Sequence, residues 1–200
     1  MRADRAATGR GETSVARLVY SMICSLDGYV ADEDGRFDWA VPGEEAHAFI
    51  NEAERPVGTH LFGRRMYEVM RGWETMGTGP GDARTTRDFG ALWRAADKVV
   101  YSRTLDRPVT ARTRIEREFA PGAVRRMVAA ADRDVSVSGP TLAAHAFRAG
   151  LVQECRVYLA PAVVGGGLRV FPDGVRLGLE CVAERRFADG MVYVGYRVRG

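Results

Sequence analysis

A chain of 200 residues, 46% hydrophobic and 28% charged, is long enough for one domain with a sizeable core and too balanced for a disordered or fibrous protein. The formal net charge is only +3, and the arginines do not form a run interleaved with aromatics, which argues against nucleic-acid binding. No apolar run approaches the ~18–20 residues of a bilayer span, and the opening MRADRAATGRGETSVAR lacks the apolar centre of a secretory signal, so the expected compartment is the cytoplasm.

Residues 1–16 read as a flexible leader and 17–200 as one domain. RLVYSMIC (17–24) is almost continuously apolar, the pattern of a strand covered on both faces. It runs into SLDGYVADEDGRFDW, a loop with Asp-Gly turn signals at 27–28 and 34–35. In 43–54, Ala46, Phe49, Ile50 and Ala53 recur at helical spacing, with acids in the first turn that suit the helix dipole. A short strand at 57–63 then leads into a helix at 64–70. The four glycines of 71–83 predict an exposed loop, followed by a helix at 85–97 and a strand at 98–102. A short strand is expected near 113–115, and a helix after Pro121 with Val124, Met127, Val128 and Ala131 on one face. DVSVS (134–138) is a strand, PTLAAHAFRA a helix ending at Gly150, and ECRVYLAPAVV a further strand. Two longer strands joined by ADG close the chain as a hairpin. Strands alternating with helices predict a mostly parallel sheet with an antiparallel C-terminal edge.

Cys24, Cys155 and Cys181 lie far apart in strand-like segments, so buried free thiols are expected rather than a disulfide. His47, His60 and His145 are too dispersed for a histidine-rich metal centre, and no metal site is assigned.

Three strand ends carry the residues that suit an anion: FGRR at 62–65, YSR at 101–103 and SGPT at 138–141. Ligands of parallel α/β sheets gather at the carboxyl ends of strands. Gly63 and Gly139 would let a phosphate approach the backbone, helix starts supply free N–H donors, and Arg64, Arg65 and Arg103 add forked cationic donors. Each glycine alone is more often a plain turn, and only the three junctions together put a large, multi-phosphate ligand level with that reading. VVGGGLRVF (163–171) is either a bulged link or a pocket-lining loop. Phe37 and Trp39 either stack on a flat heterocycle or join the core.

The ordered set SLDGYVA, LFGRRMYE, VVYSR, GPTLAAHAFRAGLVQE, YLAPAVVGGG and a final hairpin resembles the reductase family typified by the RibD C-terminal domain, the reductase half of the bifunctional riboflavin-biosynthesis deaminase/reductase. That family shares the dihydrofolate reductase fold, so the resemblance implies a three-layer α/β domain with a central, mostly parallel sheet. The deaminase zinc motif is absent from the sequence, so only the reductase half is implied. The resemblance implies NADPH as cofactor, with Gly63, Arg64 and Arg65 against its phosphates and Ser102 and Arg103 flanking the 2′-phosphate. It places Ser138, Gly139, Pro140, Thr141 and Leu142 on the pyrophosphate-facing corner, with Ser138 standing where dihydrofolate reductases have a first glycine. On the substrate side, Asp27 is the expected orienting or protonating group, and Asp38, His47, Gly165 and Gly166 are the expected lining. His47 stands near the position where folate reductases carry a helix carboxylate, which points away from folate itself. The implied activity is hydride transfer to a small, flat, pterin- or pyrimidine-like substrate by a homodimer. The alternatives are the riboflavin-pathway pyrimidine reductase proper and a non-catalytic nucleotide-binding protein; an RNA-binding surface is the least favoured.

Overall fold

Apolar runs with no polar face become central strands, because only a sheet covered on both sides buries every residue of such a run. The structure, a computed structural model, describes residues 15–199. All but the last two residues of the expected leader therefore lie outside the described residues, and Ala16 is already buried. In chain order the elements are β1 (Leu18–Ser25), β2 (Tyr29–Ala31), α1 (Glu44–Glu54), β3 (Val57–Gly63), α2 (Arg64–Met70), α3 (Arg84–Ala95), β4 (Asp97–Tyr101), β5 (Thr113–Glu116), α4 (Pro121–Ala129), β6 (Asp134–Ser138), α5 (Pro140–Arg148), β7 (Glu154–Ala160), β8 (Leu168–Arg169), β9 (Gly178–Arg186) and β10 (Val192–Arg199). Short 3-10 turns occupy Asp38–Ala40 and Arg71–Glu74.

Eight strands form one sheet in the order β5-β4-β3-β6-β1-β7-β10-β9. The first six pair in parallel, and β10 runs antiparallel to both β7 and β9. Helices cover both faces, giving three layers. On one face, Val124 of α4 and Leu142, Ala143 and Phe147 of α5 pack on Tyr20, Leu61, Val99 and Val137. On the other, Ala46, Phe49 and Ile50 of α1 pack on Tyr158 and Tyr193, while Met66 and Tyr67 of α2 pack on Phe62 and Val100. Leu61 and Phe62 are neighbours on β3 yet enter different clusters, as the two-residue alternation of a strand requires. Each such large side chain contributes about 1.5–3 kcal/mol on burial.

Four features depart from expectation. The SLDGYVA loop carries a short strand, because β2 pairs with β8 in a separate two-stranded sheet. The 71–83 stretch is exposed along most of its length, as expected, but it is also pinned: Gly77 (φ +74) is buried, and a Cβ there would lie 2.5 Å from Thr86 O. Arg94 Nη1 holds the same stretch by donating to Trp73 O (3.0 Å) and Met76 O (2.9 Å). Cys24 and Cys155 are buried as expected, but Cys181 is exposed, because β9 is an edge strand whose side chains face solvent along most of its length. The sheet face under α1 and α3 is also unusually polar. His60 Nδ1 pairs with Ser136 Oγ at 2.7 Å, and Lys98, the sole lysine, is 1% exposed with Nζ 3.2 Å from Trp93 O and 4.3 Å from its ring centre.

No helix among the described residues is long and apolar enough to cross a membrane.

Candidate functional site

Parallel pairing brings the carboxyl ends of β1, β3, β4, β6 and β7 to one edge of the sheet, and the expected corners gather there. Gly63 is the N-cap of α2, with ordinary backbone angles (φ −74, ψ 163). Arg64, in the first turn, donates through Nε to Glu68 (2.8 Å) and through Nη1 to Thr104 Oγ1 (2.6 Å). One guanidinium thus ties the start of α2 to the turn after β4. Arg65 is exposed beside it and has no carboxylate partner among the described residues.

Ser102 follows β4 and is buried; its Oγ accepts the N–H groups of Thr104 (3.3 Å) and Leu105 (3.0 Å). The hydroxyl therefore shapes the turn that presents Arg103. Arg103 is exposed and lies 3.6 Å from the equally exposed Glu118, a pairing worth little in water.

At the third corner Gly139 (φ +88) occupies a conformation that disfavours side chains, and a Cβ there would approach Met66 Cβ to 3.1 Å. Among the described residues, a Cβ on Gly63 would meet only Leu142 Cβ, at 3.6 Å. The first and third corners thus interlock, Met66 under Gly139 and Leu142 beside Gly63. Ser138 is buried and donates to Ser21 O (3.2 Å), so its side chain turns back into the sheet. Pro140 and Leu142 are buried, leaving Leu142 only its backbone to face a ligand; Thr141 is exposed.

The fourth gathering joins Asp27 to the loop after β7. Asp27 Oδ1 accepts from Ser25 Oγ (2.6 Å) and Oδ2 from Gly165 N (2.7 Å), while Val164 N lies 3.2 Å from both oxygens. These bonds, that from Ser25 first, hold the carboxyl below its usual range. Gly166 is buried, and a Cβ on it would come within 2.6 Å of Glu33 Oε1. An open cavity of about 370 Å³ lies here, lined by Asp32, Glu33, Asp34, Val164, Gly165 and Gly166.

Two expected residues stand apart from these corners. Asp38 is exposed in its 3-10 turn. His47 is half-buried against Trp73 (6.0 Å) and Phe89 (5.9 Å), and burial pushes its pKa down against the opposing pull of Asp88. Trp39 joins the α1 cluster, while Phe37 is exposed. Ser25, Met66, Thr104 and Val164 belong to the site but escape sequence reasoning. Only Ser25 carries a local signal, its two-residue spacing from Asp27.

The sequence pattern of the RibD C-terminal domain matches residues 16–193. The chain belongs to the RibD C-terminal domain family. It is 26% identical over 188 residues to the uncharacterized protein YyaP of Bacillus subtilis, covering 92% of this chain and 96% of that one. Among solved structures, this RibD C-terminal domain resembles a candidate riboflavin biosynthesis protein of Shewanella sp. PV-4, with a TM-score of 0.71, 18% identity, and coverage of 92% and 99%. It also resembles RibD of Acinetobacter baumannii (TM-score 0.69, 15% identity), covering 92% of this chain and 58% of that one. Dihydrofolate reductase from Enterococcus faecalis, complexed with NADP(H), matches at a TM-score of 0.59 and 11% identity over 92% of this chain and 97% of that one. The fold of this RibD C-terminal domain is that of dihydrofolate reductase.

Proposed function

We propose that this chain is an NADPH-dependent reductase of a small, flat, nitrogen-containing heterocycle. The observation that carries the reading is Gly63. Its backbone angles are open to any residue and a Cβ would fit beside Leu142, so nothing among the described residues requires glycine there. Its bareness uncovers the first turn of α2 next to an arginine already held from two sides. That is a cradle for a phosphate. Family membership and the fold shared with a reductase complexed with NADP(H) support the same cofactor.

In this reading Gly63, Arg64 and Arg65 hold pyrophosphate oxygens, joined by the backbone donors of Thr141 and Leu142 beyond Gly139. Arg103 faces the 2′-phosphate from a turn built by Ser102. When bound, the nicotinamide supplies a hydride. The chain orients the acceptor between the Asp27 turn, α1 and the Gly165–Gly166 loop, with Asp38 and His47 at its margin. The exposed edge of β9 suits a homodimer, and the protein acts on its small-molecule substrate in the cytoplasm.

A thermal-shift screen with NADPH, NADH, NADP+, FMN and a deazaflavin tests the cofactor; NADPH or NADP+ should give the largest shift, and a larger shift with FMN or the deazaflavin would overturn the assignment. Loss of nicotinamide absorbance with dihydrofolate, menadione or the ribosylaminopyrimidine of flavin synthesis then separates the readings. Family membership favours the pyrimidine as a second substrate to try. Binding without turnover of any acceptor would favour the nucleotide-binding alternative.

A further inference from the structure

The glycine loop after β7 has no regular structure until β8, yet its course is narrowly determined. Leu26 N donates to Ala162 O (2.8 Å) and Val170 N to Gly28 O (2.9 Å), lacing the two segments at either end. Between these ties, Gly165 (φ +80) and Gly167 (φ +123) take angles that side chains avoid, and a Cβ on Gly167 would lie 2.1 Å from Ala31 O. The backbone that results aims two consecutive N–H groups, those of Val164 and Gly165, at one point. Such a concavity binds anions. Its occupant is the chain's own Asp27 carboxylate, 137 and 138 residues away in sequence. Ser25 completes the clasp by donating to Asp27 Oδ1 (2.6 Å) while accepting Tyr29 N (3.0 Å).

We propose that Asp27 is a positioning residue whose carboxylate closes the Val164–Gly167 loop into the wall of the substrate side of the site, rather than the group that protonates the substrate. The proposal rests on the reductase reading for what the wall encloses, but its geometry stands without it. Two consequences follow from the bonding. Val164 and Gly165 have already committed their N–H donors, so at these two residues a substrate meets shape and carbonyl oxygens. The carboxylate also stays ionised at neutral pH, where it has no proton to give.

Amide hydrogen exchange on the full chain tests the clasp. Asp27→Ala should speed exchange at Val164 and Gly165 by about tenfold or more, as expected when hydrogen-bonded donors are released to solvent. Asp27→Asn, which keeps one acceptor oxygen, should retain protection at Gly165. In the unaltered protein, the Val164 and Gly165 amide proton shifts should move together on acidification, with one midpoint below the ordinary 3.8 of an aspartate. With menadione as the probe acceptor, Asp27→Ala should raise KM more than it lowers kcat, and Asp27→Asn should recover most of the loss. A proton donor predicts the reverse, with both variants losing kcat alike by about a hundredfold or more. Unchanged protection in Asp27→Ala, or equal loss of kcat in both variants, overturns the proposal. Should Asp27→Ala fail to fold, Ser25→Ala decides, with Val164 and Gly165 losing protection together. Absence of NADPH binding would sink the reductase reading while leaving the exchange results to stand.

Discussion

Arg64 donates to Thr104 Oγ1 at 2.6 Å, joining the start of α2 to the turn after β4 across 40 residues of sequence. With Glu68 on its Nε, this guanidinium is oriented before any ligand arrives. Pre-orientation lowers the ordering cost of binding a phosphate. Arg64→Ala should therefore weaken NADPH and NADH alike by about tenfold or more, the usual loss of a charge-assisted bond. Thr104→Val should weaken both by a few fold with little change in melting temperature. Fluorescence titration of both nucleotides checks the pair, and unchanged affinity in Arg64→Ala counts against the phosphate role.

Arg103 stands further out, exposed and loosely faced by Glu118. Arg103→Ala should weaken NADPH by about tenfold while leaving NADH within about twofold, because only the former carries the 2′-phosphate. Glu118→Ala removes a competing carboxylate and should tighten NADPH slightly. Equal losses for both nucleotides in Arg103→Ala would remove this arginine from the 2′ subsite.

Gly63 and Gly139 make opposite predictions although both cap helices. Gly139→Ala forces a side chain into φ +88 against Met66 and should destabilise the fold by about 1–3 kcal/mol, lowering the melting temperature by several degrees. Gly63→Ala meets no strain and should melt within about a degree or two of the parent, within the small range expected for an unstrained substitution. Its NADPH affinity should nevertheless fall severalfold. Parent-like affinity in Gly63→Ala would remove the cradle.

His60 supplies a pH signature unrelated to ligand. Burial, aided by Lys98 and Arg133, pushes its pKa down from 6.5 to about 4. Between those values the unfolded chain binds the proton that the folded one refuses, so stability falls as pH drops from about 6.5 toward 4. At pH 5 this group alone costs on the order of 2 kcal/mol relative to neutral pH. Denaturant unfolding of His60→Asn and the parent at pH 7.5 and 5 should show a shallower pH dependence in the variant. Identical slopes would mean that His60 is not the titrating group.

The layered α/β order was legible in the sequence because apolar spacing is a local property. The two-residue alternation of Leu61 and Phe62 and the four-residue rhythm of Ala46, Phe49, Ile50 and Ala53 each imply an element without knowledge of its neighbours. The corners at Gly63, Arg103 and Gly139 were readable for the same reason, each being a strand end followed by a helix or turn. Tertiary structure alone decided what those residues touch. That Arg64 meets Thr104, that Ser138 turns back to Ser21, and that the Asp27 carboxylate fills the Val164–Gly165 concavity all depend on which strands become neighbours in the sheet. The pinned 71–83 stretch, the buried lysine and the exposed Cys181 have the same origin. Hydrogen bonds act over about 3 Å, so their partners are chosen by topology rather than by spacing along the chain.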